Sequence, residues 1–258
     1  METVELAYEE LGGENSVPML ILHGFFASSR NWRKVAEKLA RTYHVFLLDL
    51  RNHGGSPHHP QMDYPEMAGD VLSFMDKHSL SSVNLLGHSM GGKCAMWLAL
   101  NQPKRIKHLI VVDIAPKSYV HNFDKTVQAL IDLPLPTIKN RKQAETMLAE
   151  SIPELEYRQF LLQNLILKNG LYCWRIDLAI FKQTAPNIIA FPEIDNLSDF
   201  YGEALFIAGA DSTYVTNDDI SGLFPNAMLK TIDNAGHWVH AQQPEVFIEM
   251  VEKFLQNR

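Results

Sequence analysis

The stretch Val83-Asn84-Leu85-Leu86-Gly87-His88-Ser89-Met90-Gly91-Gly92-Lys93-Cys94-Ala95 decides how this chain is read. A short apolar run leads into Gly87-His88-Ser89-Met90-Gly91. The segment beyond it, with Ala95, Leu98 and Ala99, has the spacing of an apolar helix stopped near Pro103. The pattern GxSxG alone arises by chance in about one chain of this length in ten. Between a buried strand and a helix it gains a mechanical meaning. The serine occupies a tight turn that lifts its hydroxyl above the sheet edge, and the flanking glycines avoid clashes there. The helix N-terminus then aims free amides, and the positive end of its dipole, at developing negative charge. Ser89 is thus the candidate nucleophile, against the plainer reading of a helix-capping serine among turn glycines.

Outward from this turn the rhythm is strand, helix, strand. Met19–Leu22, Val45–Leu48, Leu109–Val112 and Leu205–Ala208 are apolar, short and not alternating, as strands of a parallel sheet buried on both faces read. Amphipathic stretches lie between them, marked by Trp32, Val35 and Leu39 and by Met67, Val71 and Phe74, and a last one runs from about Glu245 to Leu255. Alternation in Val4–Glu9 predicts an edge strand ended by Gly12-Gly13. The sum is an α/β chain with a doubly wound, mostly parallel sheet. The rhythm breaks between about Pro116 and Tyr201, so residues 1–117 and 201–258 are expected to form the core and 118–200 an inserted helical lid. Helices are expected at Arg141–Glu150 and Glu154–Lys168. Asn169-Gly170 fits either a hairpin turn or the end of the preceding helix.

The 258 residues carry 23 Lys+Arg against 30 Asp+Glu, a formal net charge of −7, which argues against nucleic acid or anionic membrane as partner. No apolar run reaches the 18 residues of a membrane span. The acidic start Met1-Glu2-Thr3-Val4-Glu5 has no signal-peptide pattern, and Cys94 and Cys173 lack metal spacing; a cytoplasmic protein with reduced thiols is the expectation. No cofactor or metal is expected. His53, His58 and His59 cluster in a Gly- and Pro-rich loop without helical zinc spacing and are expected at the surface. Asp49 and Arg51 are expected to pair with one another.

A nucleophilic serine needs a base and a cradle for the oxyanion. His237, in Asn234-Ala235-Gly236-His237-Trp238, comes after the last strand candidate, Met228–Ile232, where a loop histidine can reach the C-terminal sheet edge. His23-Gly24-Phe25-Phe26 comes directly after the strand Met19–Leu22, so the backbone amides of Phe25 and Met90 are the expected oxyanion donors. His23 itself is expected to brace that loop.

In this chain order the arrangement resembles the α/β-hydrolase fold superfamily. Asp49-Leu50-Arg51-Asn52-His53-Gly54-Gly55-Ser56, Gly87–Lys93, Val112-Asp113-Ile114-Ala115-Pro116 and Ala235-Gly236-His237-Trp238-Val239-His240-Ala241 are, as a set, similar to the small bacterial esterases of the YbfF type and their mitochondrial relatives in animals. Two carboxylates compete to orient His237. The superfamily's usual slot, three residues after a glycine, holds Ser212 in Gly209-Ala210-Asp211-Ser212, and Asp211 stands one residue early. The resemblance implies instead an acid at the end of the strand after the nucleophile helix, which is Asp113. Asp113 is the expected acid and Asp211 the alternative.

These residues suit acyl transfer: Ser89 attacks a carbonyl, His237 moves the proton and water releases the acid. A serine in this position disfavours the haloalkane dehalogenase and epoxide hydrolase readings, whose nucleophile is aspartate. Phe25, Phe26, Met90 and Trp238, with Trp174 and Phe123 as contributions from the lid, predict a site for apolar acyl groups. The substrate is expected to be a small-molecule acyl ester, and the resemblance adds thioesters such as acyl-CoA. Two other readings stay open: a lyase or C–C hydrolase of the same fold, and a non-catalytic small-molecule receptor on this scaffold.

Overall fold

A computed structural model of the chain describes residues 2–120, 122–194 and 197–256. In chain order the core elements are β1 (Tyr8–Leu11), β2 (Pro18–Leu22), α1 (Arg33–Leu39), β3 (His44–Leu48), α2 (Tyr64–Lys77), β4 (Val83–His88), α3 (Met90–Asn101) and β5 (Ile106–Val112). Next come α4 (Asp124–Ile131), α5 (Arg141–Met147), α6 (Leu155–Leu161), β6 (Leu165–Lys168), β7 (Leu171–Trp174) and α7 (Leu178–Ile189). The core resumes with β8 (Glu203–Gly209), α8 (Asn217–Ile220), β9 (Ala227–Ile232), α9 (Val239–Gln242) and α10 (Pro244–Gln256).

The main sheet has the order β1-β3-β2-β4-β5-β8-β9, with β1 antiparallel to β3 and every other pair parallel. Its central strands β4 and β5 are buried except at Lys107, and side chains alternate between two apolar layers. Leu85, Leu109 and Phe206 pack with α2 and α3, while Leu86, Ile110 and Ile207 join the layer that holds α1 and α10. A strand wetted on neither face has no reason to alternate polar with apolar, which is why these runs read as continuous.

Three local expectations change. The edge strand begins at Tyr8, because the chain before it bonds to side chains: Val4 N donates to Asp70 Oδ1 at 2.7 Å and Ala7 N to Ser56 Oγ at 2.8 Å. The helix expected over Glu154–Lys168 ends at Leu161, and Leu165–Lys168 turns into β6 of a hairpin with β7. Asn169 (φ 52°) and Gly170 (φ 80°) both take the left-handed conformation, as a two-residue hairpin turn of the primed type demands. Finally, Arg51 does not pair with Asp49. The chain has left β3 by this point, and Arg51 faces α2, holding both Asp70 oxygens at 2.6 and 2.8 Å. Asp49 instead accepts the amides of Ser29 and Gly55, each at 2.7 Å.

Several described residues between 118 and 200 lie against the loop that follows β2. Phe181 of α7 stacks on Phe25 at 4.7 Å, Phe123 approaches Phe25 at 5.0 Å, and Asn164 Nδ2 donates to Phe26 O at 2.8 Å. Among the described residues, no helix is long and apolar enough to cross a membrane.

Candidate active site

Ser89 stands between β4 and α3 with φ 51° and ψ −117°, outside the regions a serine ordinarily occupies. Close packing enforces this turn. A Cβ on Gly87 would lie 2.2 Å from Gly91 O, and one on Gly91 would lie 2.4 Å from Leu22 O. The turn is tied on both sides, by Ser89 N to Val112 O and by Gly91 N to His23 O, each at 3.1 Å.

His237 spans the gap between Ser89 and Asp113. Its Nε2 is 3.0 Å from Ser89 Oγ and its Nδ1 is 2.8 Å from Asp113 Oδ2. Asp113 closes β5 with φ 51° and is fully buried. Its other oxygen accepts Gly209 N at 3.1 Å, and Oδ2 also accepts the Ser212 hydroxyl at 2.6 Å. Asp211 is exposed, and its amide donates to Ala235 O at 2.9 Å. Of the two carboxylates weighed from sequence, it is Asp113 that touches the imidazole. Tyr214 lies on the His237 ring, with centroids 4.4 Å apart and planes at 29°. His88 holds the His237 backbone through Nε2 to the carbonyl at 2.9 Å; since the carbonyl can only accept, Nε2 carries the proton. Burial, then the neighbouring His237 and His240, keep the His88 imidazole well below its ordinary pKa and hence neutral.

The loop after β2 brings Phe25 and Phe26 beside this group, Phe26 with φ 62°. His23 braces the loop as expected: Nδ1 donates to Gly24 O at 2.8 Å and Nε2 accepts Leu50 N at 3.0 Å. The amides of Phe25 and Met90 have no protein acceptor among the described residues. His53 is not a surface residue. It is 1% exposed, and its ring packs on Phe181 at 4.8 Å and His23 at 5.0 Å, because the loop folds inward beneath the inserted segment. His58 is exposed and His59 half-buried.

A cavity of about 970 Å³ opens over Ser89 and His237. Its lining includes the exposed polar residues Asn122, Glu154, Glu156, Gln159 and Gln163 and the buried apolar residues Phe26, Met90, Ile114 and Ile188. Phe123 and Trp238 belong to the wall. Trp174, expected there, does not: its side of the hairpin faces α4, and Nε1 donates to Leu130 O at 3.1 Å. Nothing in the sequence singles out Tyr64 or Tyr214 as neighbours of the site; Lys93 stands there only as the last residue of the motif around Ser89, and Ser212 only as the occupant of the slot where the superfamily's acid usually stands. Lys93 and Tyr64 are both in the buried wall.

Residues 17–244 match the family model of the alpha/beta hydrolase fold. The sn-1-specific diacylglycerol lipase ABHD11 of Danio rerio is 38% identical over 98% of this chain and 83% of its own length. Esterase YbfF of Escherichia coli K12 is 33% identical over 93% of this chain and 94% of its own. The solved structure of a "Marine microorganism esterase" superposes with a TM-score of 0.92 at 40% identity, covering 98% of this chain and all of that one. A strained serine at a strand-to-helix turn, a loop histidine after the last strand and a match along most of the chain agree: this chain belongs to the α/β-hydrolase fold family.

Proposed function

We propose that the chain is a serine esterase that cleaves apolar acyl esters, and thioesters of the same acyl groups, through an acyl-enzyme. The observation that carries this reading is the pair of hydrogen bonds by which His237 joins Ser89 Oγ (3.0 Å) to Asp113 Oδ2 (2.8 Å). Asp113 accepts the Nδ1 proton, fixes the tautomer and leaves Nε2 free to act as base; it also stabilises the imidazolium that forms. Ser89 Oγ attacks the acyl carbonyl as His237 takes its proton. The amides of Phe25 and Met90, the latter at the N-terminus of α3, receive the oxyanion. His237 then gives the proton to the departing alcohol or thiol, and water activated by the same nitrogen releases the acid.

The buried apolar lining of the cavity supports an acyl group against it, and the exposed polar lining suits the leaving group. Residues 118–200, which supply Phe123, Tyr157 and Ile188 to the wall, act as the lid. The names of the relatives, esterase and diacylglycerol lipase, support ester bonds as the target. The test is labelling by a fluorophosphonate together with turnover of p-nitrophenyl esters. Labelling at Ser89 with steady turnover is expected. Labelling without turnover would indicate a lyase or C–C hydrolase, and absence of both a silent receptor pocket.

A further inference from the structure

Lys93 lies one helical turn beyond the nucleophile on α3, its amide donating to Ser89 O at 3.0 Å, and it belongs to the buried part of the cavity wall. The side chain is 1% exposed. Its Nζ donates to Ile189 O at 2.7 Å and to Ala190 O at 2.9 Å, at the C-terminal end of α7, and stands 4.7 Å from the Tyr119 ring centre and 5.7 Å from that of Tyr64. An ammonium has three N–H donors, and no third acceptor takes the remaining one among the described residues. Among those residues no carboxylate pairs with it either, although the chain has an excess of acidic residues. Backbone carbonyls and ring faces compensate a buried cation only in part. Burial accordingly lowers the Lys93 amine to about 7.

Resting on the esterase reading above, we propose that Lys93 receives an anionic end of the acyl chain, so that the preferred acyl groups are ω-carboxyacyl: a carboxylate at the closed end, an apolar stretch, and the scissile carbonyl at Ser89. The wall has the groups this requires. Ile114, Ile188 and Met90 are buried in it and offer nothing to a charged group, and Lys93 is the one lysine or arginine in the cavity wall among the described residues. A carboxylate bound there would take the spare N–H, form the ion pair that the amine lacks and favour its charged form. A neutral chain end gains none of these. In a pocket without the cation, a buried carboxylate would be strongly rejected.

The experiment compares p-nitrophenyl half-esters of dicarboxylic acids of four to eight carbons with the same compounds capped as methyl esters, at pH 6.5. Wild type is expected to favour the free carboxylate by tenfold or more in kcat/KM at one chain length. Lys93→Met should lower that ratio at least a hundredfold while Ser89 still labels with a fluorophosphonate. The ratio within each pair is insensitive to a general loss from loosening α7. A wild type that disfavours the carboxylate at every length overturns the proposal while the capped esters still turn over and the esterase reading stands; so does an unchanged ratio in Lys93→Met. If Lys93→Met fails to fold, the wild-type series decides alone. No turnover of any ester overturns both readings.

Discussion

The Ser212 hydroxyl donates a 2.6 Å hydrogen bond to Asp113 Oδ2, the same oxygen that lies 2.8 Å from His237. The loop after β8 thus reaches the carboxylate that bonds His237 through a neutral donor, while that carboxylate itself comes from the end of β5. Asp113→Asn should lower kcat by roughly 10⁴, because the amide offers the wrong partner to Nδ1. Asp211→Asn should leave kcat within about threefold, and Ser212→Ala, which removes one hydrogen bond to a charged group, should cost about tenfold. A large loss at Asp211 beside a small one at Asp113 would reverse the assignment. Circular dichroism of each variant separates catalysis from folding.

Ser89→Ala should reduce ester hydrolysis by roughly 10⁴ to 10⁶ in kcat with the fold intact. His237→Ala should fall to a similar level, and the double variant no further, since the two groups act as one unit. Retention of a tenth of the activity in Ser89→Ala would refute the nucleophile.

Arg51 and Asp70 form a buried bidentate ion pair, both side chains without exposure. Asp70→Ala should destabilise the fold by about 3 kcal/mol, because it removes the bidentate partner and leaves the buried guanidinium only Glu66, at 3.3 Å, as counter-charge. Adding Arg51→Met should recover part of that loss. Urea midpoints at constant m-value measure both, and a loss below about 1 kcal/mol for the single variant would contradict the geometry.

His240 stacks on Trp32 at 3.9 Å with its planes at 12°, and its Nδ1 has no partner among the described residues. Burial, with a smaller contribution from His237, lowers it to about 3 from 6.5. Between these values the unfolded chain binds a proton that the folded chain refuses, so stability is lost as pH falls from 6.5 toward 3. At pH 5 the cost attributable to this ring is about 2 kcal/mol. His240→Phe keeps the stacked ring and should flatten the loss between pH 8 and pH 5 by that amount, as read by urea denaturation. An unchanged pH slope would show that the ring titrates freely.

The buried strands were legible because a parallel strand covered on both faces must be apolar throughout, and this holds for Leu85-Leu86 and Leu109–Val112 whatever packs on them. Ser89 and its turn were legible because steric exclusion at Gly87 and Gly91 leaves a signature in residue type. Chain order then pointed to His237, and with the family resemblance to Asp113. The hairpin at Asn169-Gly170 was undecided, since a left-handed pair ends a helix as well as it joins two strands; the pairing of Leu165–Lys168 with Leu171–Trp174 decided it.

What the sequence determined by itself, then, is whatever depends on local sterics and burial: the buried strands of the sheet and the tight turn at Ser89. Outside the Ser89, His237 and Asp113 group, tertiary structure decided which partners the charged and polar side chains found. Asp49 and Arg51 are two residues apart yet bond to different neighbours, Trp174 turns to α4 and away from the cavity, His53 is folded under Phe181, and Lys93 reaches Ile189 across 96 positions. A hydrogen bond or ion pair is short-ranged and directional, so its partner depends on where distant segments meet, and no spacing along the chain encodes that meeting.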